Sequence, residues 1–402
     1  MSAHRLLRKV FVSALALYCI AFITSCNDAP NTVGTELIPG TDTIYAISSL
    51  QVPLLPSAST QSDREPLYNP DFMLYGKTVD SEGRLFVEFL QYPRLGSPDS
   101  FEIISSELMM YPQDYKYGDT SNLTLSVHSY ELKQLWYPQA TWDSIWAPDG
   151  STSYYSTSDP QVCSFEKTLT AEDSVVYVPF DTQATKRWFV LGSDSTTRDQ
   201  LFGLVLLPET AGSIRQFRNN NNGVQVMKLR VIYKHADSVD NDTTYLESAV
   251  ADFVDTPPAA GDTDLVVQGA RLHRTAFQVK IDSLPPYSII LGSSFQASVN
   301  DGASQNGTFG RDEVLTLTYL SPSGTQYAFS AYGDASGQYI FPNITTIAQL
   351  IRKYGGTGTL LLEPQGVNKY ERMNRQKLFG MESDSLHRPR LNIVYTISTV
   401  FQ

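Results

Sequence analysis

Short runs in which apolar and polar residues alternate recur along most of the chain. They cover residues 85–90, 123–127, 229–233, 315–319 and 391–395. An alternation of period two turns one face of a strand inward and the other toward solvent. The runs are rich in aromatic and branched residues and are separated by Gly, Pro, Asn and Asp, which is typical of antiparallel sheets. The pattern predicts an all-β protein.

Two segments instead have the apolar spacing of a helix. Residues 345–354 place apolar side chains at positions i, i+3, i+4 and i+7, and Gly355 can end the helix. Residues 181–191 show a weaker form of the same spacing and are followed by Gly192. We therefore expect two short helices among many strands.

The order of these elements occurs twice along the chain. An extended segment, a helix and two further strands follow one another in each copy, at 176–180, 181–191, 203–208 and 228–233 and again at 339–342, 345–354, 358–364 and 390–395. Such a repeat indicates a duplication. The sequence predicts two tandem antiparallel β-sandwich domains of jelly-roll type, each with one short helix, over 41–236 and 245–402.

The amino end has the layout of an export signal. Arg5, Arg8 and Lys9 precede an uncharged apolar run over 10–23. As a helix this run would span about 21 Å at roughly 1.5 Å per residue, which is short of the roughly 30 Å hydrocarbon core of a bilayer. The segment 1–25 is therefore predicted to be a signal peptide.

The end of this segment resembles the lipobox of bacterial lipoproteins. Ile23, Thr24 and Ser25 precede Cys26, whose thiol is acylated in such proteins. Two or more acyl chains anchor a protein stably, so the resemblance implies a lipidated Cys26 that holds the chain to a membrane. The alternative is an ordinary secreted precursor. Residues 26–40 are predicted to be a flexible tether.

Charge and cysteine content exclude several classes of protein. The net charge of −12 becomes more negative once the basic signal peptide is removed, so binding to nucleic acid or to anionic lipid by charge is not expected. Beyond the signal peptide only Cys26 and Cys163 remain, so no disulfide within the chain is expected. Cys163 lies in an alternating segment and is expected to be a buried, inert thiol.

The segment from Trp136 to Tyr155 carries the most suggestive cluster of side chains. Flat aromatic rings can cover the apolar face of a sugar while carboxylates accept its hydroxyl groups. The alternative is that these rings belong to the core, above all Trp136 and Trp142. The predicted ligand-binding residues are Trp146, Asp143, Asp149, Tyr154 and Tyr155.

No pattern points to catalysis or to a bound cofactor. The histidines are scattered, no carboxylate spacing identifies an acid and a base, and nucleophile and phosphate-loop motifs are missing from the sequence. The chain is therefore predicted not to be an enzyme. No cofactor is expected, although Asp237, Asp240 and Asp242 leave a structural calcium ion open.

Several of these segments together resemble a known domain. The runs 107–111, 123–127, 203–206 and 228–233, with Trp136 and Trp142, are similar to the DNRLRE domain over about 83–235. That domain is a jelly roll related to carbohydrate-binding modules of secreted proteins. The resemblance implies a sandwich that binds carbohydrate. The second copy is similar mainly at 388–395.

The whole chain also resembles an uncharacterised lipoprotein family of the Bacteroidetes, the domain of unknown function 4270. The similarity starts with Cys26, Asn27 and Asp28 and continues through 33–39. It implies a lipid-anchored protein of the outer membrane, on either the periplasmic or the surface face, and implies no activity.

These observations rank three functions. The first is a non-catalytic outer-membrane lipoprotein whose β-sandwich domains bind a glycan or a partner in the cell envelope. The alternative is a structural or assembly component that engages a protein partner. A polysaccharide-active enzyme comes third.

Overall fold

The computed structural model describes residues 43–62, 67–219, 225–256, 265–270 and 273–397. Strands make up 47% of the structure and helices 11%, so the predicted all-β class is confirmed. The predicted signal peptide, Cys26 and the tether lie outside the described residues. None of the helices within these ranges is long and apolar enough to cross a membrane.

In these ranges the strands form sheets of four, eleven and seven members. In chain order they are β1 (Ile44–Ser48), β2 (Ser57–Ser62), β3 (Leu67–Tyr68), β4 (Phe72–Lys77), β5 (Glu82–Phe89), β6 (Phe101–Gly118), β7 (Thr124–Glu131), β8 (Cys163–Thr168), β9 (Val176–Pro179), β10 (Leu204–Leu207), β11 (Ser213–Arg218), β12 (Lys228–His235), β13 (Asp242–Asp255), β14 (Val266–Gln268), β15 (His273–Lys280), β16 (Ser288–Ser298), β17 (Val314–Leu320), β18 (Gln326–Tyr332), β19 (Gln338–Phe341), β20 (Thr357–Pro364), β21 (Arg375–Lys377) and β22 (Arg390–Ile397).

Short helices lie between some of the strands. They are α1 (Trp142–Ile145), α2 (Thr182–Ser193), α3 (Thr345–Lys353) and α4 (Val367–Glu371), with single 3-10 turns at Pro98–Ser100, Arg198–Gln200 and Asp301–Ala303. The helices α2 and α3 lie where the apolar spacing predicts them, whereas α1 and α4 were not predicted. The carboxylate of Asp181 caps α2 because it accepts a hydrogen bond from the N–H of Ala184 at 2.7 Å.

The largest sheet partly closes on itself. Its strand order is β3-β13-β12-β6-β11-β4-β5-β10-β7-β8, with β9 beside β6. The long strand β13 pairs with β12 through residues 242–247 and with β5 through residues 248–255. This second pairing closes a ring of six strands, β5-β4-β11-β6-β12-β13.

The first half of the chain (β3 to β12) and the second half (β14 to β22) use the same strand order. The order β8-β7-β10-β5-β4-β11 in the first half corresponds to β18-β17-β20-β15-β14-β21 in the second. Likewise β6 pairs with β9 and β12, as β16 pairs with β19 and β22. The shared order is a similarity of topology.

The strands that complete each half come from elsewhere in the chain. The strand β13 pairs within the sheet of the first half, whereas β1 pairs with β22 and β2 pairs with β15. The finer prediction of two tandem jelly-roll domains is not confirmed. A repeat in the sequence does not specify which strands pair across the halves, and we refer to β1, β2 and β13, which pair in this way, as the exchanged strands. The limits 41–236 and 245–402 stay a prediction. The first range ends directly after β12 and the second begins inside β13, and these two strands are neighbours in one sheet.

One hydrogen bond recurs at the corresponding place in both halves. In the first half, the N–H of Leu74 in β4 donates to Oδ2 of Asp252 in β13 at 2.8 Å. In the second half, the N–H of Val266 in β14 donates to Oγ1 of Thr60 in β2 at 2.9 Å. The exchanged strands β13 and β2 therefore satisfy equivalent backbone donors with their side chains.

Two apolar cores meet at β5, because successive residues of a strand point to opposite faces. Leu85, Val87 and Phe89 face a large core that also contains Trp188 of α2. Phe86 faces a smaller core beneath the segment between β7 and β8. This division positions the residues discussed below.

The described chain forms two compact units. The smaller contains residues 43–46, 284–291 and 394–397, and the larger contains the remaining residues. In the smaller unit, the rings of Tyr45 and Tyr395 stack with centroids 5.3 Å apart. Several apolar side chains of this unit are exposed, namely Ile44, Tyr45, Tyr287, Ile289 and Leu291.

Candidate ligand-binding cleft

The predicted aromatic site between β7 and β8 lies mainly in the smaller core. Trp146 is 2% exposed and Tyr155 is 8% exposed, and Nε1–H of Trp146 donates to Oη of Tyr155 at 3.1 Å. The ring centroids of Phe86 and Phe253 lie 5.6 and 5.3 Å from that of Trp146. Tyr154 is half-buried and also packs against Phe86. The rings come together, but Trp146 does not offer an open face.

The two predicted carboxylates are exposed. Asp143 lies in α1 and Asp149 in the loop that follows it. Oδ1 of Asp149 accepts hydrogen bonds from the hydroxyl and the backbone N–H of Ser151, at 2.7 and 3.0 Å, and these bonds lower the pKa of Asp149. The bonds of Asp149 therefore stay within its own turn and do not join it to the rings.

The helix α1 and Arg84 cover part of the Trp146 ring. Trp142 and Trp146 lie one helical turn apart, with ring centroids separated by 4.4 Å. The guanidinium of Arg84 lies 4.7 and 4.9 Å from these two centroids. Glu82 holds Arg84 through two hydrogen bonds of 2.8 and 3.0 Å. Of these indoles only Trp142 remains partly exposed.

A cleft of about 190 Å³ adjoins this aromatic segment, and we refer to it as the α2 cleft. It lies beside α2, where β5 and β7 end and β10 begins. Its lining contains Leu132 and Phe202, which also pack in the smaller core. The Nε1–H of Trp136 donates to the carbonyl of Phe202 at 3.2 Å, which fixes this wall. The other lining residues are Phe89, Tyr92, Glu131, Arg187, Trp188, Leu191, Gln200, Leu201, Gly203 and Leu204.

Glu131 is the central polar group of the α2 cleft. Its Oε1 accepts hydrogen bonds from Nη2 of Arg187 and from Nε1 of Trp188. Trp188 is buried on the core face of α2, whereas Arg187, the preceding residue, is exposed. The helix therefore places an indole and a guanidinium on the same carboxylate, which fixes the orientation of all three groups.

The segment before β10 forms the opposite side of the α2 cleft. Gly203 has φ +92°, and a Cβ there would lie 2.5 Å from the carbonyl oxygen of Val87, so the close approach requires glycine. Gln200, in the preceding 3-10 turn, is exposed. The cleft thus has aromatic walls and an amide, a guanidinium and a carboxylate that can form hydrogen bonds.

Two further titratable groups belong to this region: Tyr92 lines the α2 cleft, and Glu88 directly precedes the lining residue Phe89. Burial raises the pKa of Glu88, an effect that Arg198 opposes. Burial also raises the pKa of Tyr92 well above its usual value, with a smaller contribution from Glu88. Like any tyrosine, Tyr92 is neutral at physiological pH, and its burial makes ionisation still harder.

Other predicted chemistry has no counterpart near this cleft. Outside the gaps noted above, no three His, Cys, Asp or Glu side chains are placed to hold a metal ion, so the calcium site suggested by Asp237, Asp240 and Asp242 gains no support. Cys163 is a buried free thiol that donates to the carbonyl of Val127 at 3.6 Å, and burial raises its pKa to about 12. Such a thiol has little thiolate at neutral pH.

No protein-family model matches the chain, and no curated protein and no solved structure shows significant similarity to it.

Sequence reasoning missed the α2 cleft because its key residues are distant in the chain. Glu131 and Trp188 are 57 residues apart, and no local motif links them. The only signal was that α2 carries a buried indole beside an exposed arginine, which identifies a helix face but does not identify its partner.

Proposed function

We propose that the protein is a non-catalytic lipoprotein of the outer membrane that binds a glycan in the α2 cleft. The single observation that carries the proposal is the carboxylate of Glu131, which lines an aromatic cleft and is held by Arg187 and Trp188. Fixed polar groups among aromatic walls suit the hydroxyl groups and apolar faces of a sugar. The resemblance to the DNRLRE domain points to the same class of ligand.

The size of the cleft refines the proposal. About 190 Å³ is less than the roughly 300–1,000 Å³ of typical small-molecule sites. The cleft therefore suits one sugar unit at the end of a chain better than the middle of a long polysaccharide. We also propose that the two halves are diverged copies of one jelly-roll-like unit, which their shared strand order supports.

A binding screen on the soluble chain from Thr41 onward tests the proposal. The probes are neutral polysaccharides in affinity gels and a panel of neutral oligosaccharides. We expect retention on at least one probe, weakened about tenfold or more by Arg187→Ala or Gln200→Ala, since each change removes a hydrogen-bonding group from the cleft. Lys353→Ala and Gln326→Ala are matched controls, because both residues are exposed and lie outside the cleft.

Retention that all four variants leave unchanged would contradict the assignment to this cleft. A lack of retention on every probe would contradict glycan binding itself.

The membrane anchor is tested separately. Mass spectrometry of the mature protein from its host is expected to show acyl chains on Cys26 as the first residue. A free thiol at Cys26, or a mature chain that begins elsewhere, would contradict the lipoprotein proposal.

A structural or assembly role is the second candidate. The exposed apolar side chains of the smaller unit, including Tyr287, Ile289 and Leu291, favour it, because clustered exposed apolar groups often mark interaction surfaces. Cross-linking in intact cells through Tyr287→Cys should then recover one defined partner at high yield. Diffuse or absent products would argue against this role.

A further inference from the structure

A second cleft in the larger unit has a different chemical character. We refer to it as the β17 cleft, because it lies where β17 begins and β20 ends. Its volume is about 430 Å³, within the roughly 300–1,000 Å³ range of small-molecule sites. Its lining residues are Phe309, Arg311, Glu313, Val314, Gln365, Gly366 and Arg372.

The two arginines of this cleft differ in how they are bound. Nη1 of Arg311 donates to Asp301 Oδ2 at 2.5 Å and Nη2 donates to the carbonyl of Asp334 at 2.7 Å, so this guanidinium forms a fixed wall. The guanidinium of Arg372 lies over the ring of Phe309, 4.8 Å from its centroid. Among the residues that the structure describes, Arg372 has no hydrogen bond or ion pair.

Two other polar side chains of the cleft, Glu313 and Gln365, also have no side-chain hydrogen bond among the described residues. In the described part of the chain, the carboxylate of Glu313 and the amide of Gln365 form no hydrogen bond, although the backbone N–H of Gln365 bonds to the carbonyl of Val314. Within the described ranges, the cleft thus offers one positive and one negative side chain without a direct hydrogen bond or ion pair, although Asp312 and Glu371 interact electrostatically with Arg372 over a longer distance. The same cleft contains the ring of Phe309, which is 49% exposed.

This combination selects a ligand with both charges. A guanidinium recognises a carboxylate through paired hydrogen bonds, and a carboxylate recognises an ammonium group. An exposed aromatic ring in the same cleft suits an apolar side chain. An acidic sugar would engage Arg372 but would leave Glu313 without a cationic partner.

We propose that the β17 cleft binds a short peptide with free ends, through its carboxylate at Arg372, its ammonium group at Glu313 and an apolar side chain on Phe309. The proposal is independent of glycan binding in the α2 cleft, because the two clefts share no residue.

Titration calorimetry with leucyl-leucine as the probe tests the proposal on the soluble chain from Thr41 onward. N-acetyl-leucyl-leucine lacks the ammonium group and leucyl-leucinamide lacks the carboxylate. We expect each modified peptide to bind about tenfold or more weakly than leucyl-leucine, because each loses one charge-assisted contact.

The variants assign each contact to a side chain. Arg372→Ala should abolish the difference between leucyl-leucine and its amide, and Glu313→Gln should abolish the difference between leucyl-leucine and its N-acetyl form. Arg187→Ala, in the α2 cleft, should change neither difference. Unfolding temperatures should change little in Arg372→Ala and Glu313→Gln, because Arg372 is half-buried, Glu313 is exposed, and neither side chain forms a hydrogen bond or ion pair in the described chain.

Three results would overturn the proposal. They are a lack of binding of leucyl-leucine, equal binding of the three peptides, and preferences that neither variant alters. Tighter binding of glucuronate than of leucyl-leucine, lost in Arg372→Ala, would instead assign the cleft to acidic sugars.

Discussion

The two halves of the chain share a strand order but differ at one corresponding place. In the first half, Leu204 of β10 lies opposite Glu131 of β7. In the second half, Leu360 of β20 lies opposite Tyr319 of β17. The seventh residue of the adjacent helix is Trp188 in α2 and Ile351 in α3.

These replacements leave no cleft at the place in the second half that corresponds to the α2 cleft. Ile351 and Tyr319 are both buried, and a Cβ added at Gly358 would lie 2.9 Å from Cγ1 of Ile351 and 3.1 Å from Cε2 of Tyr319. Apolar packing therefore fills the place that the α2 cleft occupies in the first half. The comparison teaches that the shared topology provides the scaffold, while two side chains decide whether a polar cleft exists.

The largest expected effect comes from removing the exchanged strands of the second half. A chain that starts at Leu67 lacks β1 and β2, so β15 loses six paired residues and the buried Leu54 and Leu55 are lost. Burying each leucine is worth roughly 1.5–3 kcal/mol, and whole domains are stable by only about 5–15 kcal/mol. Calorimetry should show loss of cooperative unfolding in the second half.

A chain that starts at Thr43 is the matched control, because it keeps both strands. Unchanged unfolding of the shorter chain would show that β1 and β2 do not complete the second half.

An intermediate effect is expected from the backbone caps on β4 and β14. Burial raises the pKa of Asp252 to about 8 from an ordinary value of 3.8, whereas its counterpart Thr60 does not titrate in this range. Native Asp252 therefore keeps its proton up to about pH 8, while the unfolded chain releases it near pH 4. Its contribution to stability is full below pH 4 and is lost as the pH rises to 8.

Asp252→Thr copies the cap of the second half. The free energy of unfolding of the variant minus that of wild type should be larger at pH 8 than at pH 4.5, because only wild type loses the contribution of a protonated Asp252. Urea denaturation at both pH values measures this difference. A difference between the two proteins that does not change with pH would show that Asp252 is already ionised in the native state.

The smallest effect on stability is expected in the α2 cleft itself. Glu131→Gln removes a half-exposed ion pair, so the free energy of unfolding should fall by less than about 1 kcal/mol. Glycan retention should nevertheless fall markedly, because the orientation of Arg187 and Trp188 depends on this carboxylate. Tyr319→Phe, at the corresponding position of the second half, should leave retention unchanged. Equal retention of wild type and Glu131→Gln would show that glycan binding does not depend on the Glu131 carboxylate.

The sequence predicted local structure well because alternation and helical spacing are local properties. The runs at 229–233 and 391–395 became β12 and β22, and the segments before Gly192 and Gly355 became α2 and α3. Strand partners are set by packing between distant residues. The sequence therefore did not predict that β13 pairs within the first half, or that β1 and β2 pair within the second half. The burial of Trp146 was not predictable for a related reason, since composition cannot separate a buried ring from an exposed one.

The most direct test of glycan binding in the α2 cleft uses the indole N–H signals of the four tryptophans. In a titration with a retained oligosaccharide, followed by nitrogen–proton correlation spectra and assigned through single Trp→Phe variants, the Nε1–H signal of Trp188 should shift most. A glycan that binds while shifting only the signal of Trp142, or none of the four, would contradict the account.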